Sequence, residues 1–305
     1  MLYQHFGQQV SRQRGKFRFK MPIKILDSTL ASLTMSVYDW AHYTTRKGAV
    51  KMYTLLDYDC LLPELVNITT GKTTDNKAAY DIPLSQHSIV VADRGYCDYS
   101  LLKHWDSNKA FFVVRHKENI RYTGIKERPL PEKRAQNVLI DEIVEFELPE
   151  AKEKYPPKLR RIAVWNDEHE YTVELLTNNL KLAASRIAEL YNKERWQIEI
   201  FFRNLKQLLR IKSFVGTTRN AVEIQIWTAM ITMLLLCLLK HTAKYKWALA
   251  NLVVSLRLNT FTKIDLEKWL NEPFTPTSGY ACQYIGRGSL VSIFAKYLYF
   301  VGYVM

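Results

Sequence analysis

The stretch HSIVVADRGYCDYSLLKHW, residues 87–105, constrains the fold more than any other. Residues 88–92 form an almost uninterrupted apolar run, the pattern of a strand buried on both faces. The run stops at Asp93, turns at Gly95 and enters a helix that Asp98 can cap. AFFVVRHK, residues 110–117, reads as a second buried strand. A strand–helix–strand order with doubly buried strands suggests an α/β architecture, a sheet covered by helices.

The flanking segments extend this reading. KILDSTLASLTMSVYDW opens with a short apolar run that ends on Asp27. Asp27 therefore reads as strand-terminal, or as a helix cap before STLASL. Residues 48–71 alternate around Asp57-Tyr58-Asp59 and predict a β-hairpin. Residues 118–176 turn charged and proline-rich, with a strand-like VLIDEIVEFEL and a second hairpin from 159 to 179. They are expected to form a mainly β insertion. Residues from about 185 to 269 read as helical. The expected division is a basic linker or remnant (1–20), a first core part (21–117), the insertion (118–176), a helical second core part (177–275) and an atypical tail (276–305). Residues 277–305 hold two charged residues and seven Phe or Tyr.

Charge narrows the partners. The 305-residue chain carries a formal net charge of +13, with pI about 9.4. That excess favours an acidic partner, nucleic acid first and an anionic membrane surface second. The 48% hydrophobic content supports a folded core. Cys60, Cys97, Cys237 and Cys282 form no CxxC pair and read as reduced thiols. No apolar h-region opens the chain, and a cytoplasmic location is expected. The most apolar run, residues 224–239, is short for a membrane span and contains Gln225, Thr228 and Thr232. It is read as a core helix, with no membrane partner.

YNKERWQIEIFFRNLK, residues 191–206, lacks proline and glycine and predicts a helix. On it Arg195, Glu199, Arg203, Lys206 and Arg210 fall within about 80° of one another, beside an apolar face of Ile198, Phe201, Leu205 and Leu208. One reading is a solvated face with i,i+4 pairs Arg195–Glu199 and Glu199–Arg203. The other is a metal-binding carboxylate in a channel for a polyanion. Asp27, Asp93 and Glu199 together would suit Mg²⁺, a hard cation that takes oxygen ligands and keeps waters and substrate phosphates in its shell.

The order DST (27–29), DRGY (93–96) and Y…RWQIE…K (191–206) resembles the DDE transposases of bacterial insertion sequences, in the IS-four family. Arg195, Glu199 and Lys206 keep that family's R-x3-E-x6-K spacing, while Tyr191 lies one residue further from the arginine. GAVKMYTLLD, LLTNN, LRIKSFVGT and NLVVSLRLNTF also look like family segments, so the resemblance covers about residues 20–275. It implies a ribonuclease-H-like mixed sheet flanked by helices, with the β-rich insertion between the second Asp and the Glu. It implies Asp27, Asp93 and Glu199 as catalytic metal ligands for Mg²⁺, with Mn²⁺ as substitute. Arg195 and Lys206 would hold DNA phosphates, joined by Arg203, Tyr191 and Arg210. The implied activity is cut-and-paste DNA transposition: strand cleavage at element ends, a hairpin in related members, then attack of the 3′-OH on target DNA, with a homodimer as the working form. The place where a relative has a Trp that stacks on a flipped base falls near Val173, so that role is not transferred, and Trp165 and Tyr171 in the hairpin are only candidates. The early position of Asp27 and the tail after Pro276 suggest a truncated copy. The alternative is therefore an inactive remnant that binds DNA or inhibits full-length copies.

Overall fold

The computed structural model describes residues 21–273 except 35, 42, 45–47, 118–120, 131–136, 156–157, 168–169, 210, 212 and 260–264. Arg210 and Cys282 lie outside the described residues, as do the basic segment 1–20 and the tail.

Nine strands make one mixed sheet in the order β3-β2-β1-β4-β5-β9-β8-β7-β6. The first five are β1 (Ile23–Leu33), β2 (Gly48–Asp57), β3 (Pro63–Thr70), β4 (Ile89–Ala92) and β5 (Phe111–Arg115). β1, β2 and β3 form an antiparallel meander, and β4 and β5 run parallel to β1. This is the ribonuclease-H-like arrangement that the motif order implies. The expected hairpin at residues 48–71 is β2–β3, and both apolar runs are central strands.

The position of Asp27 differs from the expectation. β1 runs on to Leu33, so Asp27 lies mid-strand and is neither a strand end nor a helix cap. The cause is β2, which pairs with β1 residue by residue from Lys24↔Asp57 to Leu33↔Gly48. With that partner alongside, STLASL stays extended, and its odd positions Thr29, Ala31 and Leu33 turn into the core.

The segment after β5 supplies β6 (Tyr122–Glu127), β7 (Val138–Phe146), β8 (Leu159–Asn166) and β9 (Tyr171–Thr177). They continue the same sheet, because β9 pairs antiparallel with β5. A buried ion pair fixes this half: both Arg160 and Asp141 are almost fully enclosed and meet through two 2.7 Å bonds. Arg160 also donates to the carbonyls of Asn179 and Leu182, tying β8 to the chain that leaves β9.

Helices cover both faces. On one lie α1 (Asp75–Tyr80), α2 (Tyr99–Ser107) and α3 (Pro149–Lys154). Leu101, Leu102 and Trp105 of α2 pack there against Leu26, Val90, Ala92 and Phe112. Asp98 caps α2 as expected, its Oδ1 accepting from the Leu101 amide. On the other face α4 (Ala184–Glu189) passes through a π-helical turn (Leu190–Glu194) into α5 (Trp196–Leu208), followed by α6 (Arg219–Thr242), α7 (Leu249–Leu258) and α8 (Leu266–Asn271). Ile198, Phe201 and Leu205 of α5 pack on Ile25, Val50 and Met52 with Val222, Ile226 and Met230 of α6. α6 has the length and apolarity of a membrane span, but these contacts make it the core helix that the sequence predicts.

Candidate active site

Two parallel strands bring the aspartates together. The β1–β4 register ends at Leu26↔Ala92, so Asp27 and Asp93 are the next residues of neighbouring strands. Side chains alternate along a strand, so Asp27 shares the face of Ile23 and Ile25. That face carries α4 and α5, whose burial sets Arg195 and Glu199 above Asp27.

Arg195 is the centre of the contacts. Its Nη2 donates to Glu199 Oε1 at 2.7 Å, and its Nη1 lies 3.8 Å from Asp27 Oδ2. The expected i,i+4 pair with Glu199 is present, but it is part of a larger cluster. The Glu199–Arg203 pair is not formed among the described residues; Arg203 lies over the Trp196 ring, 5.8 Å from its centroid. Asp93 Oδ1 accepts from the Arg94 amide at 2.8 Å and from the Tyr191 hydroxyl at 2.9 Å. Tyr191 is the residue with one extra step to Arg195 in sequence. A π-turn holds one more residue than an α-turn. The turn Leu190–Glu194 takes up that residue, leaving Arg195 Cζ 5.4 Å from the Tyr191 ring centroid.

The electrostatics are those of crowded carboxylates. Burial pushes the Asp27 carboxyl up to about 6; the Ser28 amide and Arg195 oppose this, while Asp93 and Glu199 add to it. Burial also works against the charge of Arg195, yet Tyr191 and the carboxylates of Asp93, Glu199 and Asp27 hold it above its usual range. Burial and the charge of Asp93 push the Tyr191 phenol up, so it stays a hydrogen-bond donor.

Asp93 and Glu199 both act on Asp27, and all three acids act on the Arg195 guanidinium. Among the described residues no three His, Cys, Asp or Glu side chains stand as a ready metal cluster, and Arg195 is the positive charge among them. The donor set fits a hard divalent ion: all three side chains would offer carboxylate oxygens, and burial holds Asp27 partly against ionisation. Lys206 lies half-buried two turns beyond Glu199 on α5.

Sequence reasoning missed Asp75. Its Oδ1 accepts from Ser28 Oγ at 2.7 Å and pairs with Lys51 Nζ at 2.9 Å. A Cβ on Gly95 would come within 3.2 Å of Asp75 Oδ2, so glycine lets the turn after Asp93 lie against this carboxylate. Asp75 thus touches the segments that carry both aspartates. No signal short of the contact itself marks it, since Thr74-Asp75 reads as an ordinary helix start. Of the proposed stacking residues, Trp165 and Tyr171 are part-exposed on β8 and β9, and Val173 is buried. Arg115 lies over the Tyr171 ring at 5.3 Å.

Comparison with known proteins gives the family. The chain is 34% identical over 215 residues to the Sinorhizobium fredii protein named as transposase y4zB, covering 70% of this chain and 60% of that one. It is 29% identical over 223 residues to the Geobacillus stearothermophilus protein named as transposase for insertion sequence element IS5377, covering 73% and 58%. A third relative, named as transposase for element IS4SA of Synechocystis, is 25% identical over 275 residues, with 87% and 74% covered. The chain therefore spans about three fifths of the length of the first two relatives. A cryo-EM structure of the piggyBac transposase synaptic complex with hairpin DNA overlays with a TM-score of 0.45 at 12% identity, covering 89% of this chain and 64% of that one. Residues 18–235, which contain all three acids, match the transposase DDE domain, and the chain belongs to that family.

Proposed function

We propose that this chain is a DNA transposase that cuts and rejoins strands at the ends of an insertion sequence, with Asp27, Asp93 and Glu199 as its catalytic metal ligands. The observation that carries this reading is the placing of Asp27 beside Asp93 by the β1–β4 register, with Arg195 reaching Glu199 at 2.7 Å and Asp27 at 3.8 Å. Bound by these acids, Mg²⁺, or Mn²⁺ in its place, would activate the attacking oxygen and stabilise the leaving one.

The protein's own groups do the positioning. The Tyr191 hydroxyl holds one oxygen of Asp93 and leaves the other for a cation. Arg195, which bonds to Glu199 and lies 3.8 Å from Asp27, would be the guanidinium that takes a DNA phosphate. Arg203 and Lys206 extend the basic stripe along the backbone; Arg210 continues it by helical spacing. Guanidinium groups suit phosphate because their planar fork offers paired donors. No side chain needs to bond covalently to DNA, and the work is orientation and charge stabilisation. The partners are the element's inverted-repeat ends and target DNA, in a homodimer.

The test is cleavage of a duplex carrying the element end, by the full chain and by Asp93→Asn and Glu199→Gln. The reading expects divalent-dependent cleavage lost in both variants, with duplex binding retained. Cleavage that survives in Asp93→Asn removes the triad assignment. Binding without cleavage by the unaltered chain leaves a DNA-binding protein.

A further inference from the structure

A cavity of about 540 Å³ opens beside Asp93, outside the carboxylate cluster. Arg94, Arg115 and Arg121 line it from three separate segments: the turn after β4, the end of β5 and the approach to β6. Two carboxylates also line it, Glu147 and Glu174. Glu174 bonds to Arg161 at 2.6 and 3.1 Å, and Arg161 also pairs with Glu142 at 2.6 Å, so the Glu174 charge is met in part. The cavity is therefore a basic recess, with three guanidinium groups against Glu147 and a partly met Glu174. The charge of Arg115 reaches Tyr191, which holds Asp93, so the recess adjoins the acids directly.

His116 also lines the recess. The His116 side chain is 7% exposed, and its Nδ1 lies 3.5 Å from Glu174 Oε2. Its Nε2 is buried with no hydrogen-bond partner among the described residues. A carboxylate can only accept, so Nδ1 carries the ring proton that faces it, and Nε2 is a lone-pair acceptor unless the ring takes a second proton. Burial lowers the tendency of His116 to take that proton; Glu174 opposes the effect and Arg161 adds to it. The ring therefore brings no second donor to an anion, and the guanidinium groups are the donors that the recess offers.

We propose that this recess binds phosphodiester groups of the DNA strand next to the scissile position, held by Arg115 and Arg121 with Arg94. The proposal rests on the reading of DNA as substrate. Arg195, Arg203 and Lys206 contact DNA on the α5 side of the acids; the recess holds it on the β-rich side. A duplex or its displaced strand would then be gripped on both flanks of the cluster.

Duplex binding by the full chain, measured by fluorescence anisotropy across salt concentrations without divalent ions, tests this. Arg121 is exposed, so Arg121→Gln leaves the fold intact; Arg115→Gln is added to it, with Lys103→Gln on the opposite helix layer as control. The expected result for the double variant is affinity reduced about tenfold and a shallower salt dependence, with the slope of log K against log salt smaller by about 2. The control should match the unaltered chain. An unchanged slope in the double variant, with duplex still bound, overturns the recess and leaves the DNA reading standing. Absence of duplex binding by the unaltered chain overturns both. Pyrophosphate binding that disappears in the double variant while its DNA slope is unchanged assigns the recess to free anions and refutes the proposal.

Discussion

The substitution Asp27→Asn should make the metal-free protein more stable. In the folded chain the Asp27 carboxyl is raised from 3.8 to about 6 by burial and by its neighbours Asp93 and Glu199. At pH 7.5 it is ionised in both the folded and unfolded states, and the folded state bears a cost of about 3 kcal/mol at most. An amide has the same shape, keeps an oxygen to accept from the Ser28 amide at 2.8 Å and carries no charge. It gives up the 3.8 Å approach of Arg195, which takes back part of the gain. The net expectation is about 1–3 kcal/mol, or roughly 2–8 °C in melting temperature. The pH dependence identifies the cause. Between pH 6 and 4 the folded state binds the Asp27 proton while the unfolded state does not, so acidification relieves the cost in the unaltered protein. The advantage of Asp27→Asn should be complete above pH 7 and should fade as pH falls through 6 towards 4. Paired urea melts in EDTA at pH 7.5 and pH 4.5 read this directly, since other titrating groups are common to both proteins. A variant less stable at pH 7.5, or an advantage that does not change with pH, would refute the claim that Asp27 is held under electrostatic strain.

Asp75→Ala removes the acceptor shared by Ser28 and Lys51; it should cost about 1–3 kcal/mol and weaken divalent binding, both followed by urea titration with and without Mn²⁺. Tyr191→Phe keeps the ring beside Arg195 but frees Asp93; a melting temperature changed by only a few degrees, with divalent affinity shifted severalfold, is the expected pattern. Arg160→Ala leaves the buried Asp141 carboxylate with only the 3.6 Å approach of Arg128 and should cost about 3–5 kcal/mol, checked by chemical denaturation.

Much of this was legible in the chain. The apolar runs of β4 and β5 exposed the buried parallel core, because only strands covered on both faces read that way. The Glu199 helix was legible from its period, and the α6 run from Gln225 and Thr232 inside it, both of which are buried. The gaps were long-range. Asp27 reads as strand-terminal because nothing in STLASL shows that β2 will lie alongside it. The joining of β9 to β5 depends on a partner over sixty residues away along the chain, so an inserted segment and a continued sheet look alike in sequence. Tyr191 looked misplaced because spacing rules assume an α-turn where the chain makes a π-turn. Asp75 was silent since its role is contact with two segments, each ordinary on its own.

The central claim is that Asp27, Asp93 and Glu199 converge on one divalent cation. Calorimetric titration of Mn²⁺ into the full chain, without DNA, tests it most directly, alongside Asp27→Asn, Asp93→Asn and Glu199→Gln. The account predicts saturable binding that each substitution weakens at least tenfold while the proteins remain folded. Equal affinity in all four proteins would contradict it.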